Sequence, residues 1–213
     1  MDVPRIGFTC SGIYDRQFAG LIKSYGKQRQ DRVERWFAAL GSKGYPSSTK
    51  ILKYLDIIKP LWHEHGNGIL RELARATGLR WKAKEIPCYV VGRCIPFSDP
   101  LTMPAFEKCP DYFIDILTHE LIHQLFNQEG NQSRTQRARK YFDEKFKTES
   151  TITRIHIPIH ALHAHVFLKF FDQARLRREV DLMRFFPNYM RSWRIVQRSG
   201  HQRIIQDFVK RIR

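Results

Sequence analysis

Between residues 111 and 128 the chain carries Phe113, Ile114, Ile116, Leu117, Leu121, Ile122, Leu125 and Phe126. At helical spacing these side chains cover most of the circumference rather than one stripe, so this helix must be buried and the fold must be built around it. Pro110 stands where a first helical residue belongs, Asp111 and Asp115 follow in the opening turns, and Gly130 lies just past the end. Each suits its terminus. Within the helix, residues 119–123 read His-Glu-Leu-Ile-His. Burying two imidazoles and a carboxylate among aliphatic side chains is costly unless each finds a partner.

The spacing names one. His119 and His123 are four residues apart, on one helical face and one turn apart, where both reach a single metal ion. Glu120 adjoins the first ligand and can reach a water on that metal without ligating the metal itself. A zinc site of this kind needs a third protein ligand and an open position. The segment RIHIPIHALHAHVF supplies candidates: His156, His160 and His163 share a helical face, while His165 points elsewhere. His160 is the expected third ligand, with His156 and His163 as alternatives. Those that do not ligate would orient a ligand or stabilise an oxyanion. The expected cofactor is one zinc ion, although imidazole also accepts other divalent metals.

Through His119-Glu120-Leu121-Ile122-His123 and the downstream helix the chain resembles the zincin metalloproteases. The extended metzincin pattern is absent, because Phe126 and Glu129 stand where it requires Gly and His. The arrangement is closer to the gluzincins, whose third ligand lies on a separate downstream helix, with His here in place of their Glu. The matching residues cover about 98–170. The resemblance implies a zincin-like α+β fold, mostly helical, with a small twisted sheet packed on the active-site helix. It implies hydrolysis of peptide or protein substrates by a zinc-bound water that Glu120 deprotonates. Two other readings stand beside it. One is a basic nucleic-acid-associated protein with a zincin-like or structural zinc site. The other is a non-peptidase zinc amidase resembling the deformylases, which take a Cys ligand from upstream, here Cys88, Cys94 or Cys109.

The remaining pattern places a helical part at 1–85, a metal-binding core at 86–176 and a basic helical part at 177–213, within a single domain. Ile51, Leu52, Leu55, Ile58 and Leu61 recur at helical spacing, as do Ile69, Leu70, Leu73 and Ala74. Pro60 and Gly66-Asn67-Gly68 divide them into two expected helices. Residues 86–97, IPCYVVGRCIPF, read as a strand or hairpin. Residues 98–110, with three prolines, read as irregular. Ser133 to Lys147 reads as a polar, basic helix, and Pro158 as the first turn of another reaching Leu176. Breaks are expected near Pro187 and Gly200, and the last helix should pack by its apolar side.

The 213 residues hold 37 Lys and Arg against 21 Asp and Glu, a formal charge of +16. That field draws anions and keeps nucleic acid open as a partner. Four cysteines without a Cys-x-x-Cys pair argue against a zinc ribbon. No apolar run approaches a membrane span, and MDVPRIGFTC lacks a basic-then-apolar layout. The expectation is a cytoplasmic protein with no transmembrane segment.

Overall fold

The computed structural model describes Asp2 to Arg213, with the side chains of residues 22 and 23 outside the description. The chain is mostly helical with one four-stranded mixed sheet, an α+β protein. It forms two compact units. One comprises Pro4–Asn67 and Lys84–Glu120; the other comprises Gly68–Ala83 and Leu121–Arg213 with the extreme N terminus.

The first unit holds β1 (Arg5–Thr9), α1 (Gly12–Ser24), α2 (Lys27–Ala39), β2 (Glu85–Val91), β3 (Phe97–Ser98) and β4 (Leu101–Pro104). Sheet order is β1-β2-β4-β3. β2 runs parallel to both neighbours, with Ile6 opposite Ile86 and Val90 opposite Met103. The 86–97 segment is therefore a central strand followed by a loop, not a hairpin. A parallel neighbour demands a long crossover, and α1, α2 and the whole of the next helix, Ser48–Thr77, come between β1 and β2 in the chain. Ile86, Cys88 and Val90 alternate into the core. The proline-rich stretch is also more regular than expected: residues 101–104 are all buried in β4, with Pro104 at the strand end, where a missing N–H costs least. β3 pairs antiparallel with β4 at the edge. Trp36 packs edge-on against Phe106, and Phe8 against Phe113, with centroids 5.4 and 5.8 Å apart.

Two helices belong to both units. α3 (Ser48–Thr77) is one continuous helix of 30 residues rather than two. Pro60 lies on its exposed side, while Ile51, Ile58 and Ile69 are fully buried, so packing of the apolar face outweighs the lost backbone hydrogen bond. α4 (Pro110–Asn127) is the buried helix anticipated above.

The second unit adds α5 (Gln132–Lys145), α6 (Thr151–Phe170), α7 (Gln173–Leu182), a 3-10 turn at Met183–Phe185, α8 (Pro187–Ser199) and α9 (His201–Ile212). α6 is central, packed by α5, α7, α8 and α9. It begins well before Pro158, because Ser150 caps it by accepting from the Thr153 N–H at 3.2 Å. Helix α9 buries Ile204, Phe208 and Ile212, and its terminal Ile212 carbonyl accepts from Arg134 and Arg137 of α5. Cationic donors there satisfy the helix's negative end. Among the described residues no helix is long and apolar enough to cross a membrane.

Candidate metal centre

Helix α4 is fixed by Phe113, Leu117, Leu121, Ile122 and Leu125, none of them accessible. His119 and Glu120 are buried, and His123 is partly exposed. The boundary between the units falls after Glu120, inside this unbroken helix. The relative placement of His119 and His123 is thus set by helical geometry alone.

His156 of α6 completes the set. One ligand atom from each of His119, His123 and His156 lies within 4.8 Å of the other two. Tetrahedral zinc with bonds of about 2.1 Å wants nitrogens about 3.4 Å apart, a difference on the scale of side-chain rotation. The sequence reading placed His160 third; the geometry brings His156 there instead. His160 Nδ1 is 3.0 Å from Ser192 Oγ, and its ring stacks on Trp193 at 4.4 Å with planes 8° apart. His163 packs on Phe167 and Trp193. These two rings fill the seam between α6 and α8. Helical spacing alone did not show which of the three rings lies beside His119 and His123.

His156 Nδ1 lies 2.7 Å from the Ile152 carbonyl. A carbonyl only accepts, so Nδ1 carries the proton and Nε2 keeps its lone pair for a metal. Burial pushes His123 down to about 3, with His156 adding to the effect. Burial likewise lowers His156 to about 4, against the opposing pull of its Ile152 bond. Both rings are therefore neutral near pH 7, the form that binds metal. Burial raises the Glu120 carboxyl to about 8. Beside a cation that trend reverses, because a nearby positive charge favours the carboxylate. The donor set fits a zinc ion.

His123 and His156 also border a cavity of about 540 Å³ within the second unit. Its apolar wall includes Phe126, Phe142, Ile159 and Phe208, and its polar wall Asn127, Gln132, Gln136, Arg139, Asp143 and Arg154. The sequence reading did not single out Arg139 and Arg154. Their signal was the polar face of α5 at positions 132, 136, 139 and 143, which resembles any solvated helix face.

His165 Nε2 is 2.6 Å from Glu72 Oε1, away from the trio, as its helical position implied. His63 and Glu64 are exposed, and His65 half-buried. Asp115 is buried, and Asn127 faces the cavity. All four cysteines are thiols, and none belongs to the histidine group found among the described residues. Burial, then the nearby Glu120, pushes the Cys88 thiol up. Comparison with family models, curated proteins and solved structures returned no match for this chain.

Proposed function

We propose that this protein is a zinc-dependent metallopeptidase of zincin type, with His119, His123 and His156 as ligands and Glu120 as general base. One observation carries the reading: three imidazoles converge, and two of them border a substrate-sized cavity. A structural zinc site would have four protein ligands, whereas a catalytic one keeps a position open. Chain order supports it too, since a mixed sheet with a short antiparallel edge strand leads directly into the histidine-bearing helix.

Bound zinc would supply Lewis acidity and a more acidic water. Glu120, one residue beyond His119, accepts the proton of the attacking water and returns it to the leaving amine. His156, oriented by the Ile152 carbonyl, presents Nε2. The buried face of α4 holds His119 and Glu120 in place and excludes bulk solvent around them.

The test is the metal content of the purified protein together with hydrolysis of an unstructured protein substrate. The expected result is one zinc per chain, and a Glu120→Gln protein that keeps zinc but loses roughly 10²–10⁴-fold in rate. Absence of zinc affinity, or full activity in Glu120→Gln, overturns the assignment. The charge of +16 favours a second reading, a nucleic-acid-associated protein. Duplex DNA binding with a steep salt slope, in a protein that hydrolyses nothing, would establish that one instead.

A further inference from the structure

The cavity beside His123 and His156 has an unbalanced wall. Asp143 is its one acidic lining residue, and it faces two guanidinium groups. Arg154 holds it tightly, Nε to Oδ1 at 2.8 Å, and Arg154 is further committed to the Glu149 carbonyl at 2.6 Å and Thr151 Oγ1 at 3.2 Å. Arg139 reaches the other oxygen only at 3.6 Å, and its side chain is 55% exposed. One carboxylate thus serves two cations, and Arg139 keeps most of its donors for something else. Gln136 and Gln132, one and two turns earlier on α5, line the same cavity, and Gln132 Nε2 already donates to the Asn127 carbonyl at 2.8 Å. The lining also includes Phe126, Ile159 and Phe208, with the Phe126 and Phe208 rings stacked at 4.8 Å.

We infer that this cavity is a carboxylate-recognising subsite, in which Arg139 receives an acidic group of the peptide substrate while its aliphatic part lies on the phenylalanine wall. The inference rests on the metallopeptidase reading above, and it names the substrate class: peptides acidic on the side that enters this cavity. Arg139 suits the task because a guanidinium fork matches a carboxylate in two-point geometry. Arg154 tethers Asp143, which holds the Arg139 fork loosely enough to be exchanged for a ligand. The field of a +16 chain steers the same class of substrate. The carboxylate can belong to an Asp or Glu side chain or to a peptide C terminus, and the experiment separates the two.

Fluorescent peptides are prepared in matched sets: Glu against Gln at each position, and free acid against amide at the C terminus. Cleavage is measured with the zinc-loaded protein. Binding is measured by anisotropy with the full-length Glu120→Gln protein, where no turnover is needed. The acidic member of one set binds roughly tenfold tighter than its neutral twin, and the gain in kcat/KM enters through KM. Arg139→Gln erases the difference between twins, and Arg139→Glu reverses it in favour of a Lys-containing peptide. The set that responds identifies the side chain or the terminus as the source. Equal affinity across every set overturns the inference. So does a preference that Arg139→Gln leaves intact, or displacement of the peptide by a short oligonucleotide whose own binding needs Arg139. Absence of both zinc and cleavage removes the metallopeptidase reading, while the binding arm still decides the role of Arg139.

Discussion

The rings of His123 and His156 meet edge to face, with centroids 5.1 Å apart and planes inclined at 69°. His160, one turn further along α6, instead lies flat on Trp193. The two α6 histidines therefore separate by experiment. His156→Ala should lower zinc affinity by more than the roughly 100-fold that loss of a ligand's hydrogen-bond partner costs. His160→Ala should keep zinc but lose about 2–4 kcal/mol of stability, through the cavity left against Trp193 and the lost Ser192 contact. Zinc titration and urea unfolding of both variants check this. Zinc loss in His160→Ala alone would reverse the assignment.

Glu72 of α3 is 4% exposed and touches three cationic or protonatable groups: Arg75 Nη2 at 2.5 Å, Lys169 Nζ at 2.5 Å and His165 Nε2 at 2.6 Å. Burial raises its carboxyl, but hydrogen bonds from Arg75, Lys169 and His165 outweigh it and bring the group to about 2 from an ordinary 4.5. A carboxylate depressed on folding stabilises fully above its unfolded value. That stability drains as pH falls from about 4.5 to about 2. Urea midpoints should therefore fall across this acid window, and Glu72→Gln should be weaker at pH 7 with a flatter acid limb. A variant with the same acid limb as the parent would show that this cluster does not tie α3 to α6.

Gly66 sits inside α3, and a Cβ there would come within 2.3 Å of the Trp62 ring. Helix propensity alone says that Gly66→Ala should stabilise by about 1 kcal/mol. The contact reverses the sign. Trp62 is 8% exposed and has little room to withdraw, so overpacking should leave the variant less stable by about 1–2 kcal/mol net. Thermal unfolding of Gly66→Ala decides, and a higher Tm would rule out the close approach.

The same glycines show where sequence reading reached its limit. Gly66 and Gly68 read as a turn because glycine is a poor helix former. Here each gives room to a ring, Trp62 for Gly66 and Phe170 for Gly68. Pro60 and Pro158 misled in the same way, since tertiary packing carries both helices through them. Helix α4 was legible in full because its all-round apolar pattern admits one environment. His119, Glu120 and His123 were legible because their geometry is local to that helix. The third member of the histidine trio was not, because His156, His160 and His163 share a face. The neighbours on α8, Ser192 and Trp193, hold His160 in the packing, and His156 is the ring left beside His119 and His123. Strand β1 carried no signal before β2 was known to pair with it.

Zinc should stabilise the fold without being required for it. His123 and His156 stand on helices already held by apolar packing: Leu121, Ile122 and Leu125 on α4, and Ile157, Ala161 and Phe167 on α6, all essentially inaccessible. Small zinc modules lack such a core and unfold without metal. Chelation should therefore leave the far-ultraviolet circular dichroism unchanged while hydrolysis disappears. Re-addition of zinc at a thousandfold excess over Kd should contribute about 4 kcal/mol. In a chain of this size that raises Tm by roughly 10 °C. His123→Ala should abolish the zinc-dependent rise and leave the metal-free Tm close to that of the parent, since the side chain it removes is partly exposed. Unfolding on chelation would mean that the metal holds the second unit together. The histidine trio would then be a structural clasp, with no vacant position for a water.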